Sequence, residues 1–458
     1  MKFRTTLILL IVFVVLLTAY LVFESRTKSS EDRKDREALL TEFEETDIEK
    51  MSVPAGDGVI VFDRDEAGIW MIAAPLRAPA DVYEVDNLVR NFARLRIERI
   101  VEEDPEDVES YGIGERDVLF WAKGEGKPVR IQIGMENPIG GTLFARRDDE
   151  KRIVLLASTL KFSLDKTLFD FRKKDVFAFE TGDISKLRVQ AGAKAWDVSK
   201  EDDRWWLTSP VRALASNTRI RSLLETLSGL KARSFAAEDK SAADLKAFGL
   251  DKPGYTVALS AADLEEDMVF FLARSGDDVY VSTDKSPLVV SVETRILEDL
   301  EKPLEDFREN KAADFNSWEA DRLSITADGK TITAFKDGEG FDAAWKIEGI
   351  EGIADRFLIE SFIRKVEYLE ALTFVDAPGQ RVRHGLEPPG AVITVRVKPY
   401  SGEHREIVLH VGLEVEEEGR VAVRNPELDY HMMVDSSFLA EMPKEGGDWM
   451  PKEDPDRP

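Results

Sequence analysis

Apolar and polar positions along this chain follow one pattern three times, at a spacing of about 136 residues. Each copy opens on alternating apolar residues that predict a hairpin: Val59 to Phe62, a polar turn through Asp65 and Gly68, then Ile69 to Ile72. The second copy runs Trp196 to Ser199, Glu201 to Asp203, then Trp205 to Leu207. The third runs Thr331 to Phe335, Asp337 to Gly340, then Ala344 to Ile347. Trp70, Trp206 and Trp345 mark the returning strand, the second interval slightly longer than the first. Phe62 to Trp70 and Val198 to Trp206 both span 8 residues and Phe335 to Trp345 spans 10, which predicts a longer third turn.

A helix is predicted next. Leu88, Phe92 and Leu95 fall at helical spacing, as do Ile220, Leu223, Leu224, Leu227 and Leu230, and then Leu358, Phe362, Val366 and Leu369. Asn217 is the expected N-cap of the second of these helices. Then come Tyr111-Gly112-Ile113, Phe248-Gly249-Leu250 and His384-Gly385-Leu386, whose glycines keep the repeat interval. Short strands follow, such as 255–259, 268–272, 279–282 and 288–292, and a closing helix near 294–300. Asp170-Phe171-Arg172 recurs at the same interval as Asp306-Phe307-Arg308. Hairpins in succession with one substantial helix predict an α+β class, three tandem repeats of mostly antiparallel sheet packed by helices. The expected units are 48–182, 183–317 and 318–450, with a polar, frayed tail over 451–458.

The N-terminus breaks the pattern. Leu7 to Phe23 is an uncharged run, interrupted among strongly apolar residues only by Thr18, Ala19 and Tyr20. With Thr5 and Thr6 it reaches roughly 28 Å as a helix, enough to cross a bilayer core. The apolar residues favour insertion by about 4–8 kcal/mol. No A-x-A-like site follows, so residues 1–23 are expected to be an uncleaved single-pass anchor, and 24–47 a charged stalk. Arg26, Lys28, Arg33, Lys34 and Arg36 outnumber Lys2 and Arg4 and argue for a cytoplasmic body. Long domains translocate largely regardless of flanking charge, and a short basic tail before an apolar run resembles a secretory n-region, so an extracytoplasmic body is expected.

Composition narrows the partners. The 63 basic and 89 acidic residues leave a net charge of −26, which repels nucleic acid and anionic headgroups. The chain has no cysteine, which excludes disulfides, thiolate catalysis and cysteine-ligated metal centres.

Candidate chemistry reads mostly as structure. Gly134, Gly140, Gly141 and Thr142 faintly suggest a phosphate loop, but no Gly-Lys-[Ser/Thr] follows, so they are expected to be hairpin glycines. His384 stands where Tyr111 and Phe248 stand and is expected to replace a packing ring. His404 and His410 lie roughly 20 Å apart along one predicted strand, and His431 sits on a closing strand with no Cys or second His near it. Asp337 to Asp342 only loosely resembles a calcium loop. No catalytic residue, metal site or cofactor site is predicted. Arg90, Arg94, Arg96 and Arg99 crowd the end of the first helix of an acidic protein and are the candidate surface for an anionic partner, against a solvated face balanced by Glu98, Glu102 and Glu103.

The stretches Trp70 with Pro75, Tyr111 to Ile113, Phe144 to Arg146 and Phe171 to Lys174 resemble the bacterial domain-of-unknown-function family 4340. Trp206 with Pro210, Phe248 to Leu250, Tyr280 to Ser282 and Phe307-Arg308 carry the resemblance through the second unit. The third departs: no Pro follows Trp345 closely, His384 replaces the aromatic, and no Phe-Arg segment precedes the tail. The resemblance implies a single-span protein of the bacterial inner membrane with a periplasmic or otherwise extracytoplasmic body. It also implies partners among gliding-motility-type ABC-transporter components, an ABC permease among them, or other envelope proteins. It supplies no catalytic residues. The expected function is therefore that of a non-enzymatic membrane-anchored scaffold or accessory protein. The alternative is a polysaccharide-binding module or hydrolase with its site between repeat units.

Overall fold

The computed structural model describes residues 38–451, apart from Asp57, Glu115, Glu125, Asp149, 262–265, 339–342, 399–402 and 416–418. The expected span at Leu7–Phe23, most of the stalk and the 452–458 tail lie outside these residues. Among the described residues no helix is long and apolar enough to cross a membrane.

The body is α+β, with three antiparallel sheets. Residues 38–174 form one compact unit around the first sheet; residues 175–451 form another, in which two sheets share a core. The first sheet comprises β1 (Ile48–Ala55), β2 (Gly58–Arg64), β3 (Trp70–Ala74), β4 (Ala78–Pro79) and β5 (Arg99–Glu102). It continues with β6 (Arg116–Ala122), β7 (Val129–Glu136), β8 (Leu143–Arg147) and β9 (Ile153–Leu156). The order is β4-β3-β2-β1-β6-β7-β8-β9-β5. Since β4 and β5 lie at opposite edges, the helix between them must cross the sheet.

The second sheet repeats that order with β10 (Ile184–Ala191), β11 (Lys194–Glu201), β12 (Arg204–Ser209), β13 (Ala213–Leu214) and β14 (Ser234–Ala237). Its return half is β15 (Tyr255–Ala261), β16 (Met268–Ser275), β17 (Asp278–Thr283) and β18 (Val289–Val292). The third sheet has β19 (Ala320–Ala327), β20 (Lys330–Asp337), β21 (Ala344–Ile347) and β22 (Thr373–Val375). It is completed by β23 (Ala391–Val397), β24 (Arg405–Val415), β25 (Arg420–Arg424) and β26 (His431–Asp435), in the same order less the two-residue edge strand.

The long helices are Val82–Ala93, Asn217–Ser228 and Arg356–Glu367. Asp81 caps the first by accepting from the Tyr83 and Glu84 amides, and Asp355 caps the third through Phe357 and Leu358. Such a cap contributes about 1 kcal/mol. Asn217 is not the cap of the second: Ser216 holds that position, and the Asn217 amide oxygen accepts from the Trp205 N–H at 3.1 Å. In the third helix Ile359, Ile363, Phe362 and Val366 face the core, while Leu358 is 42% exposed. Of the expected stripe, Phe362, Val366 and Leu369 are buried, and Ile359 takes the place expected of Leu358.

Strand alternation also moves the second tryptophan mark. Phe62 pairs with Ile72, Val198 with Leu207 and Ala334 with Ile347, so the residues two positions earlier on the returning strands, Trp70, Trp205 and Trp345, are equivalent. All three are buried; Trp206 points to the other face, half-buried, with the Arg212 guanidinium 4.8 Å from its ring. The second hairpin turn is only Asp202-Asp203, both at positive φ (47° and 63°), the signature of a type I′ turn.

Two further expectations change. Residues 38–47, the end of the expected stalk, are built into the first unit: Leu40 and Thr41 are buried, and the Leu40 amide donates to the Leu95 carbonyl at 2.8 Å. Val176 to Leu230 and Ala312 to Leu369 repeat that bond at 3.1 and 2.9 Å. The closing aromatic is also present in the third repeat. Phe171, Phe307 and Trp449 are all buried, and their carbonyls accept from the amides of Asp81, Ser216 and Asp355 at 2.8, 2.9 and 2.7 Å. Trp449 follows Phe307 at a longer interval than the one that separates Phe171 from Phe307, which hid it from a search at a fixed period.

Candidate functional site

The face carrying the aromatic-Gly-Leu turns is where the repeats diverge. Each turn ends a short helix, and Gly112, Gly249 and Gly385 take positive φ (67°, 74° and 64°), the left-handed conformation that closes a helix end. In repeats one and three the turn's carbonyl rests on a strand glycine. A Cβ at Gly134 or Gly412 would overlap the carbonyl oxygen of Tyr111 or His384. Gly140 and Gly141, at positive φ, form the turn between β7 and β8. The glycines weighed as a phosphate loop are elements of the sheet.

Strand registers align this layer residue by residue. In repeat two it is apolar: Leu250, Ala273 and Val289 are buried, with Leu245, Phe248, Phe271 and Tyr280 packed against them. The Phe248 and Tyr280 rings lie 4.5 Å apart, as Tyr111 and Phe144 lie 5.0 Å apart in repeat one. In repeat three, Arg381 stands for Leu245, His384 for Phe248, His410 for Phe271, Ala422 for Tyr280 and His431 for Val289. Arg424 stands where Ser282 does.

The substitutions are mutually consistent. With Ala422 in place of a ring, His431 reaches in from β26, and its Nε2 lies 2.7 Å from Nδ1 of His384, ring centroids 5.0 Å apart at 73°. The sequence placed His384 correctly at a ring position but left His431 without a second histidine; the fold brings together two side chains that are distant along the chain. His431 is 1% exposed, and its Nδ1, His410 Nδ1 and Arg381 Nε are buried without a hydrogen-bond partner among the described residues. Burial first, then the charges of His384, Arg381 and Arg424, holds His431 down to about 4. Burial and Arg424 also push His410 below its ordinary value. Arg381 lies 3.4 Å and Arg424 3.9 Å from one Glu387 carboxylate oxygen. Arg381 also donates to the Asp429 carbonyl, and Arg424 to the carbonyls of Leu428 and Pro426 at 3.3 Å.

This donor set is a poor fit to a metal ion. Among the described residues no three His, Asp or Glu side chains gather to hold a metal ion, and the paired imidazoles stand beside two guanidiniums that repel a cation. His404 is elsewhere, exposed, with Nδ1 3.7 Å from Asp321. The Asp337–Asp342 segment lies largely outside the described residues.

Repeats two and three meet within one unit. Arg308, 3% exposed, makes a bidentate pair with Asp376 at 2.9 and 2.7 Å, its guanidinium 4.0 Å from the Phe374 ring and 4.5 Å from that of Tyr430. Burial pushes the Tyr430 hydroxyl up to about 12, with Arg308 opposing. Nearby in sequence, a cavity of about 340 Å³ is lined by Arg204 from repeat two and by Arg405, Glu406, Asn425 and Glu427 from repeat three, with Asp314 between the sheets.

Arg90 and Arg94, two of the four arginines at the first helix end, are paired by the chain itself. Arg90 meets Glu45 at 3.5 Å and Arg94 meets Glu44 at 2.9 Å, both from the segment leading into the first sheet. Arg96 lies in a bridge with Leu39, and Arg99 opens edge strand β5. Glu44 and Glu45, not the expected Glu98, Glu102 and Glu103, are the acids opposite Arg90 and Arg94.

A tandem-repeat α+β protein with this turn and this closing aromatic is the class the fold defines. The family model for the Domain of unknown function (DUF4340) matches residues 70–243 and 205–389, and the chain belongs to that family. No curated protein matches. Among solved structures, the DNA polymerase III subunit beta from Pseudomonas aeruginosa is similar at 9% identity, covering 85% of this chain and 93% of its own, with a TM-score of 0.15. A putative DNA polymerase III beta subunit from Eubacterium rectale is similar at 9% identity, covering 86% and 92%, with a TM-score of 0.14. Likenesses of that size carry no argument about this fold or its function.

Proposed function

We propose that the protein is a non-enzymatic scaffold of the bacterial inner membrane. It is anchored by Leu7–Phe23, holds its three repeat units on the extracytoplasmic side, and engages an ABC-type permease or another envelope protein. The observation that carries this reading is a pair of aromatic side chains at one repeat position. Tyr83 and Phe357 are each the second residue of a long helix, two positions after its capping aspartate, and are 84% and 86% exposed. Large apolar groups held in water at matching places suit recognition by a partner. The apolar run from Leu7 to Phe23 supports the anchor.

Affinity purification of the full-length protein from mildly solubilised native membranes tests it. Recovery of a permease and its ATPase, lost with Tyr83→Ser and Phe357→Ser together, supports the scaffold; a partnerless protein refutes a stable complex. A second reading, binding or hydrolysis of envelope polysaccharide, draws on the 340 Å³ cavity, where carboxylates, arginines and an amide converge. Glycan binding abolished by Arg204→Ala and Asn425→Ala would favour it.

A further inference from the structure

We propose that the His384–His431 pair is a proton-operated latch, and that acidification unseats the Gln380–Leu386 turn from the third sheet while the equivalent turn of repeat two stays in place. The geometry fixes how many protons the contact holds. With the facing nitrogens 2.7 Å apart, one must donate and the other accept. A second proton added at the contact would make one ring cationic and set N–H against N–H.

Charged groups surround the pair on every side. The helix Gln380–Arg383 brings Arg381 and Arg383, and the turn after it brings Glu387. His410 comes from β24, Arg424 from β25, and Asp429 and Tyr430 immediately precede β26. Asp376 follows β22 and is held by Arg308. Glu387 is the acid nearest Arg381 and Arg424 and is shared between them. The second proton therefore enters a region where the Glu387 and Asp376 carboxylates already have cationic partners.

Little apolar contact offsets that repulsion. The turn of repeat two is held by Leu245, Phe248, Phe271, Tyr280 and Val289, none of which titrates near neutrality. The corresponding apolar layer in repeat three is reduced to Leu386, Ala422, Met433 and Val375. Other ties include the Leu413 amide to the His384 carbonyl at 2.9 Å and the Arg381 donation to the Asp429 carbonyl. An opened turn would return His431 from about 4 toward its ordinary 6.5. That difference shifts the closed–open balance by about twenty-fold between pH 7 and pH 5.

Hydrogen–deuterium exchange on the purified full-length protein at pH 7 and pH 5, corrected for intrinsic exchange, tests the latch. Protection of residues 380–391 should fall about twenty-fold, while residues 244–255 hold theirs. His384→Phe with His431→Val, which installs the repeat-two residues, should keep 380–391 protected at pH 5. Glu387→Gln should leave the pH dependence in place. Equal behaviour of the two segments overturns the latch, as does unchanged protection at pH 5 or a pH dependence that vanishes in Glu387→Gln. If the double variant does not fold, the comparison between segments of the native protein still decides.

Discussion

Replacing Gly412 by alanine should reverse the usual sign of that substitution. In an ordinary strand, glycine to alanine stabilises by about 0.5–1 kcal/mol, because glycine loses more backbone freedom on folding. At Gly412 the new Cβ would overlap the His384 carbonyl oxygen and lie 3.2 Å from the Ala422 Cβ. Relief requires the turn to lift off β24. That weakens the Leu413 N–H to His384 carbonyl bond and pulls His384 from His431. Overpacking costs about 1–3 kcal/mol and each hydrogen bond about 1 kcal/mol, so a net loss of about 2–4 kcal/mol is expected. The protein carries its own control: the equivalent residue of repeat two is Ala273, whose Cβ lies 3.5 Å from where a Gly249 Cβ would be. Ala273→Gly should therefore cost only about 0.5–1 kcal/mol. Urea titration, followed by exchange at residues 380–391 and 244–255, separates the two. A neutral or stabilising Gly412→Ala would refute the close seating of the turn.

Trp205→Ala should cost about 3–5 kcal/mol and Trp206→Ala about 1 kcal/mol or less, read from chemical denaturation, because only Trp205 is buried in the core. Equal costs would reverse the strand register. At the seam, Asp376→Ala should destabilise residues 175–451 by about 3 kcal/mol or more, and Arg308→Met by less. The carboxylate is 40% exposed and can rehydrate, whereas the guanidinium, at 2%, is left buried and unpaired; denaturation with the order inverted would count against that account. His431 binds fewer protons folded than unfolded between about 4 and its ordinary 6.5. Its contribution is therefore complete above that window and is lost as pH falls through it, up to about 3 kcal/mol, with His410 acting in the same direction. Denaturation midpoints at pH 7 and pH 4.5, compared between the native protein and His431→Val, measure it.

The repeats, the long helices and the glycine turns were legible because apolar spacing and positive-φ glycines leave marks in a single chain. Trp206 keeps the fixed repeat interval, although alternation around Leu207 selects its neighbour Trp205. Trp449, and the equivalence of His431 to Val289, escape a fixed interval because the third repeat is stretched and both residues fall later than that interval places them. His384 was visible as a departure from an aromatic position, but its partner lies on another strand and only pairing through β25 brings it near. The arginines were visible as a cluster, while Glu44 and Glu45 read as part of a stalk.

The bond from each closing aromatic back to the start of its long helix spans most of a repeat in all three copies. Each repeat is thereby tied shut by its own last residues before the next begins. In the first repeat, whose core is its own, this closure leaves a module that can be copied or lost as one stretch of gene. Once copied, a single repeat is free to exchange its apolar layer for histidine and arginine while the others keep the original lining. The frame is common to the three copies, and the titratable layer belongs to one of them.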